Sequence, residues 1–324
     1  MRKKLLGIIM LCACLAGILY LNTGSRVISI PDEKKEGSVM VNVYFNDEYI
    51  IKSVDLEEYL IGVVASEMPP LFEPEALRAQ AVAARTYIIK KMITGGSEQD
   101  MGAAVCNDPA HCKGYIDDER AKMLYGEKWE DEYRGRIKTA VDSTRAEIMT
   151  YEDEPITATF FAMSGGRTEN SADVWGQDLP YLHSVDSAVD AEAPGFETSV
   201  EVSLGEFKDK ILKFDPDADF NKSAFENIER SGGGAVLCVT CFGVRIKGTQ
   251  MRSIFSLRSA NFEMSRSEDS VTFTVRGYGH GVGMSQWGAN LLAKQGMNYV
   301  EILKTYYEGI EISNYTKTQE KINS

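Results

Sequence analysis

The segment Asp55–Glu67 constrains this chain more than any other. Leu56, Tyr59, Leu60, Val63 and Val64 recur at helical spacing, so one face of a helix must be buried. Asp55 suits the N-cap, and Glu58, three residues on, completes a capping-box pattern. Glu67 follows Val63 by four residues and Leu60 by seven, which places it on the same face. The stripe that faces the core therefore ends in a carboxylate. Burial disfavours the charged form of such a group and raises its pKa, and a carboxyl that keeps its proton near neutral pH is what a general acid requires. The same spacing also suits a surface glutamate at a helix end, or one paired with an arginine. Met68-Pro69-Pro70 stops the helix. A second helix is predicted from Pro74, well placed at a first helical position, to about Met92. Ala76, Ala79, Ala81, Ala83 and Ala84 keep it thin enough for close packing. Arg78 and Arg85 share one of its faces, about 10 Å apart along the axis, with Gln80 and Tyr87 on another. An ordinary amphipathic helix with two surface arginines fits that pattern as well.

At 324 residues, 44% hydrophobic and 26% charged, the chain is long and apolar enough to bury a sizeable core, which argues against disorder and against several membrane spans. Its net charge of −13 excludes a nucleic-acid backbone as an obvious partner. Arg2-Lys3-Lys4 precede an uncharged run, Leu5–Leu21, about 26 Å long as a helix and at the short end for a bilayer span. Leu21-Asn22-Thr23-Gly24-Ser25 lacks a clean small-residue cleavage site, and the residues after Cys14 stay apolar, unlike a mature lipoprotein. We therefore expect a retained anchor in residues 1–24. A cleaved signal peptide and an acylated cysteine are the alternatives, and each places the body outside the cytoplasm. Residues 25–38 read as a linker, 39–316 as one catalytic domain and 317–324 as a polar tail.

Val39–Phe45 and Tyr49–Val54 are predicted strands around an Asn46-Asp47 turn. Residues 95–117 read as loop. Ala146–Tyr151 and Pro155–Ala162 read as a hairpin, Leu204–Phe214 as a helix, and Ala235–Ile246, Met251–Leu257 and Val271–Arg276 as strands. Two short helices are expected from about Gln286 and Tyr299. Helices and strands do not alternate strictly, so the expected fold is α+β, with mixed helices and antiparallel strands around a substrate cleft, preceded by one N-terminal transmembrane helix.

Three separated blocks resemble one family. They are Val64-Ala-Ser-Glu-Met-Pro-Pro70 with Phe72–Tyr87, Phe161-Ala-Met-Ser-Gly-Gly-Arg-Thr168 with Val174-Trp-Gly176, and Gly277-Tyr-Gly-His-Gly-Val-Gly-Met-Ser-Gln-Trp-Gly-Ala289. Their order and content resemble the stage II sporulation protein D family, which is related to amidase-enhancer proteins. The resemblance implies a membrane-anchored lytic transglycosylase that cuts peptidoglycan during engulfment in endospore formation. It places the catalytic acid on Glu67 and cationic groups important for glycan handling on Arg78 and Arg85, with Arg85 a candidate to orient Glu67 or to hold a substrate carboxylate. It also implies a preference for strands stripped of stem peptides by an amidase partner, stage II sporulation protein P, within an engulfment membrane complex. The body would then lie in the intermembrane space of the sporulating cell, on a single-pass anchor in the cell membrane. A non-catalytic, glycan-binding activator of a cell-wall amidase is the alternative.

Of six cysteines, Cys12 and Cys14 fall in the expected anchor, and the four left, Cys106, Cys112, Cys238 and Cys241, are too few for a disulfide framework in a body this large. Asp100, Cys106, His111 and Cys112 fall within 13 residues and offer thiolate, imidazole and carboxylate donors, a set zinc accepts, although the spacing is not that of a standard finger. A Cys106–Cys112 disulfide is the competing reading outside the cytoplasm. Some sporulation D proteins that this chain resembles carry zinc here on two Cys and two His, with Asp100 standing at one of those His positions. Cys238 and Cys241 lie in a predicted strand, on opposite faces, and read as two buried structural cysteines.

The run Gly277, Gly279, Gly281, Gly283 matches no phosphate-binding pattern. The expectation is a turn that brings backbone close to a sugar, with His280, Ser285 and Gln286 as candidate contacts, or a loop that merely packs. Ser164 before Gly165-Gly166 is not in a nucleophile elbow and reads as a possible wall of the cleft. His183 is expected to pack or bond locally.

Overall fold

The computed structural model describes residues 38–108 and 111–315, and the backbone of Ile30–Pro31. The anchor expected over Leu5–Leu21, nearly all of the linker and the 317–324 tail lie outside the described residues. Among the described residues, no helix is long and apolar enough to cross a membrane.

Strand β1 (Ile30–Pro31) lies parallel to β3 (Ile50–Asp55), which forms an antiparallel hairpin with β2 (Met40–Phe45). Val41, Val43 and Phe45 alternate inward along β2, the period-2 signature of a half-buried strand. Asp55 ends β3 and caps α1 (Leu56–Glu67) by accepting the Glu57 and Glu58 N–H groups at 3.0 and 3.1 Å. The expected stripe Leu56, Tyr59, Leu60, Val63 and Val64 is wholly buried. Met68 closes the helix through its N–H to Val64 O, and Pro69 cannot continue it.

Helix α2 (Pro74–Thr94) is buried nearly all round, and its alanines let neighbours approach from several sides. After it come β4 (Val105–Cys106), parallel to β2, then α3 (Asp118–Tyr125) and α4 (Arg134–Ser143). Strands β5 (Glu147–Tyr151) and β6 (Glu154–Pro155) form the next hairpin, and β7 (Phe160–Phe161) follows. The expected strand Pro155–Ala162 is thus two short pieces. Between them, the chain packs Ile156 and Ala158 inward instead of pairing.

After α5 (Ser171–Trp175), a second hydrophobic core gathers residues 200–275. It contains β8 (Glu197–Ser203), α6 (Leu204–Phe214), β9 (Glu226–Arg230), β10 (Val236–Cys241), β11 (Val244–Lys247), α7 (Gly248–Phe255), β12 (Phe262–Arg266) and β13 (Ser270–Arg276). Two antiparallel sheets, β12-β13-β8 and β11-β10-β9, close around Phe207, Phe242, Phe255 and Phe273. Two expectations are corrected here. Ala235–Ile246 is two strands, because Phe242 and Gly243 adopt positive φ and turn the chain. Met251–Phe255 is the latter part of α7, and Ser256, at positive φ, ends it before Leu257: Met251, Ile254 and Phe255 are spaced three and four apart and pack as a helix face.

The chain then returns to the first core through β14 (Met284–Ser285), α8 (Gln286–Lys294), α9 (Tyr299–Tyr306) and β15 (Glu311–Asn314), which pairs with β5. The mixture of helices and antiparallel sheets is that of the expected α+β class.

Arg85 sits at the centre of the first core, fully buried. Its Nη2 and Nε donate to Glu57 Oε2 and Oε1 at 2.6 and 2.9 Å, a two-pronged pair between α2 and α1. The remaining donors reach the carbonyls of Val141 and Glu147, both at 3.2 Å. The expectation that Arg85 orients Glu67 or touches substrate is therefore corrected: its donors are spent inside the core. Removing one partner of a buried pair leaves the other charge uncompensated, at a cost of about 3–5 kcal/mol. Arg85→Ala should lower unfolding free energy by about that amount in chemical denaturation. A variant as stable as the parent would show that the pair does not hold the helices together.

Candidate functional site

Glu67 is the last residue of α1 and is half-buried. Its Oε1 accepts the backbone N–H of Gly114, and its Oε2 accepts Gln286 Nε2, both at 3.2 Å. Both carboxylate oxygens are thus held by donors from distant parts of the chain. Gly114 lies close under Ser66: a Cβ there would lie 2.3 Å from Ser66 Oγ, so a larger residue would have to turn that hydroxyl aside. Gln286 is buried at the first turn of α8, and its Nε2 also faces Gln80 Oε1 at 3.4 Å. Gln80 therefore stands behind Gln286, fully buried on α2. Arg78, on another side of α2, donates Nε to Ser143 Oγ at 3.1 Å and pairs with Glu75. No hydrogen bond or ion pair links either arginine to Glu67.

Lys113 is the site residue that sequence reasoning missed. Its Nζ lies 3.7 Å from the centre of the Phe160 ring and 4.9 Å from that of Tyr87. Burial pulls its ammonium down to about 8, while the nearby Glu67 carboxylate acts in the opposite direction. Its only signal in the sequence was its place between Cys112 and the tightly packed Gly114. Tyr87, expected near substrate, forms the wall between Lys113 and Cys112, and burial raises its phenol well above its ordinary value.

The glycine-rich run folds against protein. A Cβ at Gly283, whose φ is +82°, would lie 2.1 Å from Thr159 O, so the backbone approaches backbone there rather than an open groove. This seats β14 parallel to β7 and points Gln286 at Glu67. His280, in the same run, is corrected as a polar substrate contact. Its Nδ1 accepts the Val282 N–H at 3.1 Å and its Nε2 faces Phe160 O at 3.2 Å, so both ring nitrogens are engaged by backbone. Its ring stands between Phe161 and Trp175. Ser164 is likewise no cleft wall. It is buried and donates to Asp190 Oδ2 at 2.6 Å, in a network with Ser187 and Ser285. Ser285 donates there too, to Oδ1 at 2.7 Å. His183 Nε2 lies 3.4 Å from the nearby Asp178, but its Nδ1 lies 3.1 Å from Glu308, 125 positions on, so its contacts are not local alone.

Asp100, Cys106, His111 and Cys112 converge, with one donor atom from each lying within 4.8 Å of the others. Cys106 and Cys112 are free thiols. His111 Nδ1 lies 3.0 Å from Asp100 Oδ1 and 3.3 Å from Cys106 Sγ. Asp100 Oδ2 is fixed by the Ser97 N–H and hydroxyl at 2.8 and 2.9 Å, which leaves Oδ1 facing the cluster. Two sulfurs, an imidazole nitrogen and a carboxylate oxygen fit a four-coordinate cation. Burial pushes the Cys106 thiol up to about 12 and raises that of Cys112, so both keep their protons until a cation displaces them. Cys241 is buried in the second core, but Cys238 is half-buried, because β10 turns its two faces to different surroundings.

His280 has a measurable signature. Burial first, then the Lys113 charge, lowers its imidazole to about 4. The unfolded chain would take up that proton near pH 6.5, so this group's stabilising share is full above 6.5 and is lost as pH falls toward 4. The NMR titration of the His280 ring should have its midpoint near 4. His280→Gln should flatten the fall in stability across that window, whereas a midpoint near 6.5 would contradict the buried setting.

A family model described as Stage II sporulation protein matches residues 44–151. Stage II sporulation protein D of Bacillus subtilis (strain 168) is 39% identical over 280 residues, covering 86% of this chain and 80% of that protein. The protein of the same name from Bacillus amyloliquefaciens is 38% identical over 279 residues, with the same coverage of 86% and 80%. The amidase enhancer of Bacillus subtilis (strain 168) is a more distant relative, 27% identical over 310 residues and covering 79% of this chain and 40% of its own length. With such identity along most of both chains, this protein belongs to the stage II sporulation protein D family.

Proposed function

We propose that this chain is a peptidoglycan lytic transglycosylase acting on peptide-stripped glycan strands during engulfment, with Glu67 as its acid and base. The observation that carries the reading is the grip on Glu67: both oxygens are held, by Gly114 and Gln286, at the end of a buried helix. Glycoside hydrolysis ordinarily uses two carboxylates. An intramolecular transfer needs one. Protonated Glu67 gives its proton to the oxygen bridging N-acetylmuramic acid and N-acetylglucosamine, and the glycosidic bond breaks. The muramic C6 hydroxyl attacks the anomeric carbon, and its proton passes to the Glu67 carboxylate. The ring closes as a 1,6-anhydro end and the acid is restored. Gln286 and Gly114 hold the carboxyl in position with Lys113 beside it, and all three favour its carboxylate form, the form that takes up the C6 hydroxyl proton.

Zinc is the cation we assign to Asp100, Cys106, His111 and Cys112. Four protein donors would fill the four positions zinc ordinarily takes and leave none for water, which favours a structural over a substrate-proximal role. When bound, the ion would fix the loop that carries Lys113 and Gly114. The body would sit outside the cytoplasm on a single-pass anchor, in the intermembrane space of the sporulating cell. Its partners would be the stage II sporulation protein P amidase and an engulfment membrane complex. A second reading, a glycan-binding activator of an amidase without cleavage of its own, draws support from the likeness to the amidase enhancer.

Incubated with denuded glycan, the full chain should release 1,6-anhydro-muramic ends, detectable by mass spectrometry. Glu67→Gln should abolish them while melting like the parent. Strand binding without such ends would favour the activator. Metal analysis should find one zinc per chain, lost in Cys112→Ser. Zinc affinity should rise with pH, since binding must displace the thiol protons. An unchanged metal content in Cys112→Ser would remove the ligand assignment.

A further inference from the structure

A cavity of about 390 Å³ opens between α5, in the first core, and β10 and α7, in the second. This lies within the size range of small-ligand sites. Trp175 forms one wall, 46% exposed, with its ring 5.2 Å from that of His280. Arg252 on α7 forms another. It is half-buried, and its Nε donates to Leu257 O at 3.3 Å. Among the described residues, no carboxylate forms an ion pair with it. Of the two acids in the wall, Asp173 accepts Asn170 Nδ2 at 2.9 Å. Glu169 Oε1 accepts the Ala235 N–H at 3.0 Å, while its Oε2 is buried without a hydrogen-bond partner among the described residues. Burial raises the Glu169 pKa toward the neutral form, which does not repel an anion. Lys247 adds a second cation, exposed in the cavity wall.

A half-buried guanidinium without a counter-charge is costly unless an anion arrives to pair with it. Beside it, Trp175 offers a flat apolar face of the kind that covers a sugar ring. His280 is the shared wall: it lines this cavity, and its Nε2 meets the carbonyl of Phe160, whose ring lies under Lys113 beside Glu67. We propose that this cavity is a distal subsite for a sugar bearing a free carboxylate, with Arg252 pairing the carboxylate and Trp175 covering the ring. The assignment rests on the reading of a glycan strand as substrate. In such a strand the anionic sugar is N-acetylmuramic acid whose lactyl group carries no peptide, so Arg252 senses directly whether the peptide has been removed.

The test reads binding by the full chain in a Glu67→Gln background, so that no turnover interferes. Its probes are a peptide-free glycan strand and the same strand with its lactyl carboxyls converted to amides. The free strand should bind more tightly by on the order of tenfold or more. Arg252→Gln should erase that difference by weakening only the free strand, and Arg252→Lys should restore part of it. Trp175→Ala should weaken both strands alike. Equal affinity for the two strands in the Glu67→Gln protein overturns the proposal without reference to any Arg252 variant, which covers the case in which Arg252→Gln melts early. So does a loss in well-folded Arg252→Gln that is the same for both strands. If the parent releases no anhydro ends but discrimination by Arg252 persists, the catalytic reading falls and the subsite stands. If anhydro ends form but the strands bind equally, the reverse holds.

Discussion

The buried pair of Glu57 and Arg85 is the constraint on which the first core depends. It joins α1 to α2 inside a core made largely of small and branched apolar side chains, and ties both to α4 and β5 through backbone carbonyls. Apolar packing alone is non-directional and would let α1 slide or rotate along the alanine-rich α2. A two-pronged guanidinium–carboxylate contact permits one register. Because Glu57 and Glu67 lie on the same helix, that register fixes where Glu67 emerges. The arginine therefore serves the site at a distance, through the helix that presents the acid.

A second organising principle is close approach at glycines. Gly114 lets the loop after the cysteines lie against the side chains at the end of α1, and Gly283 lets the returning backbone lie against the backbone of Thr159. Each contact delivers one of the two donors that hold Glu67. The carboxylate thus depends on two loops that are remote in sequence, one of which also carries the metal-ligand cluster. A cation bound by Asp100, Cys106, His111 and Cys112 would tie that loop down at four points close to Gly114.

The second core meets the first across a separate cavity. Residues 200–275 form antiparallel sheets around clustered phenylalanines and present β10 and α7 toward α5. Charged and aromatic groups that would be ordinary on an isolated surface, Arg252 and Trp175 among them, become a cavity because two cores meet there. The chain belongs to a family named for sporulation.

Much of the local structure was legible in the sequence. The helix Leu204–Phe214 and the C-terminal helices at Gln286 and Tyr299 begin where their caps and apolar spacing place them. Asp55 caps α1, and Asp100, Cys106, His111 and Cys112 come together as their donor types imply. Those features are local, set by spacing within a few residues. Met251–Leu257 was misread because a short apolar run suits either period until its neighbours choose a face. Arg78 and Arg85 share a face on paper, yet one pairs at the surface and the other vanishes into the core. Lys113 left no periodic trace, since a single loop residue has no pattern to betray it. The capped helices, the carboxylate at the end of an apolar stripe and the Asp100, Cys106, His111, Cys112 cluster are legible along the chain, because each is written in nearest-neighbour chemistry. Which arginine is buried, which glutamine holds Glu67 and which lysine stands beside it emerge on folding alone, because those contacts join residues tens to hundreds of positions apart.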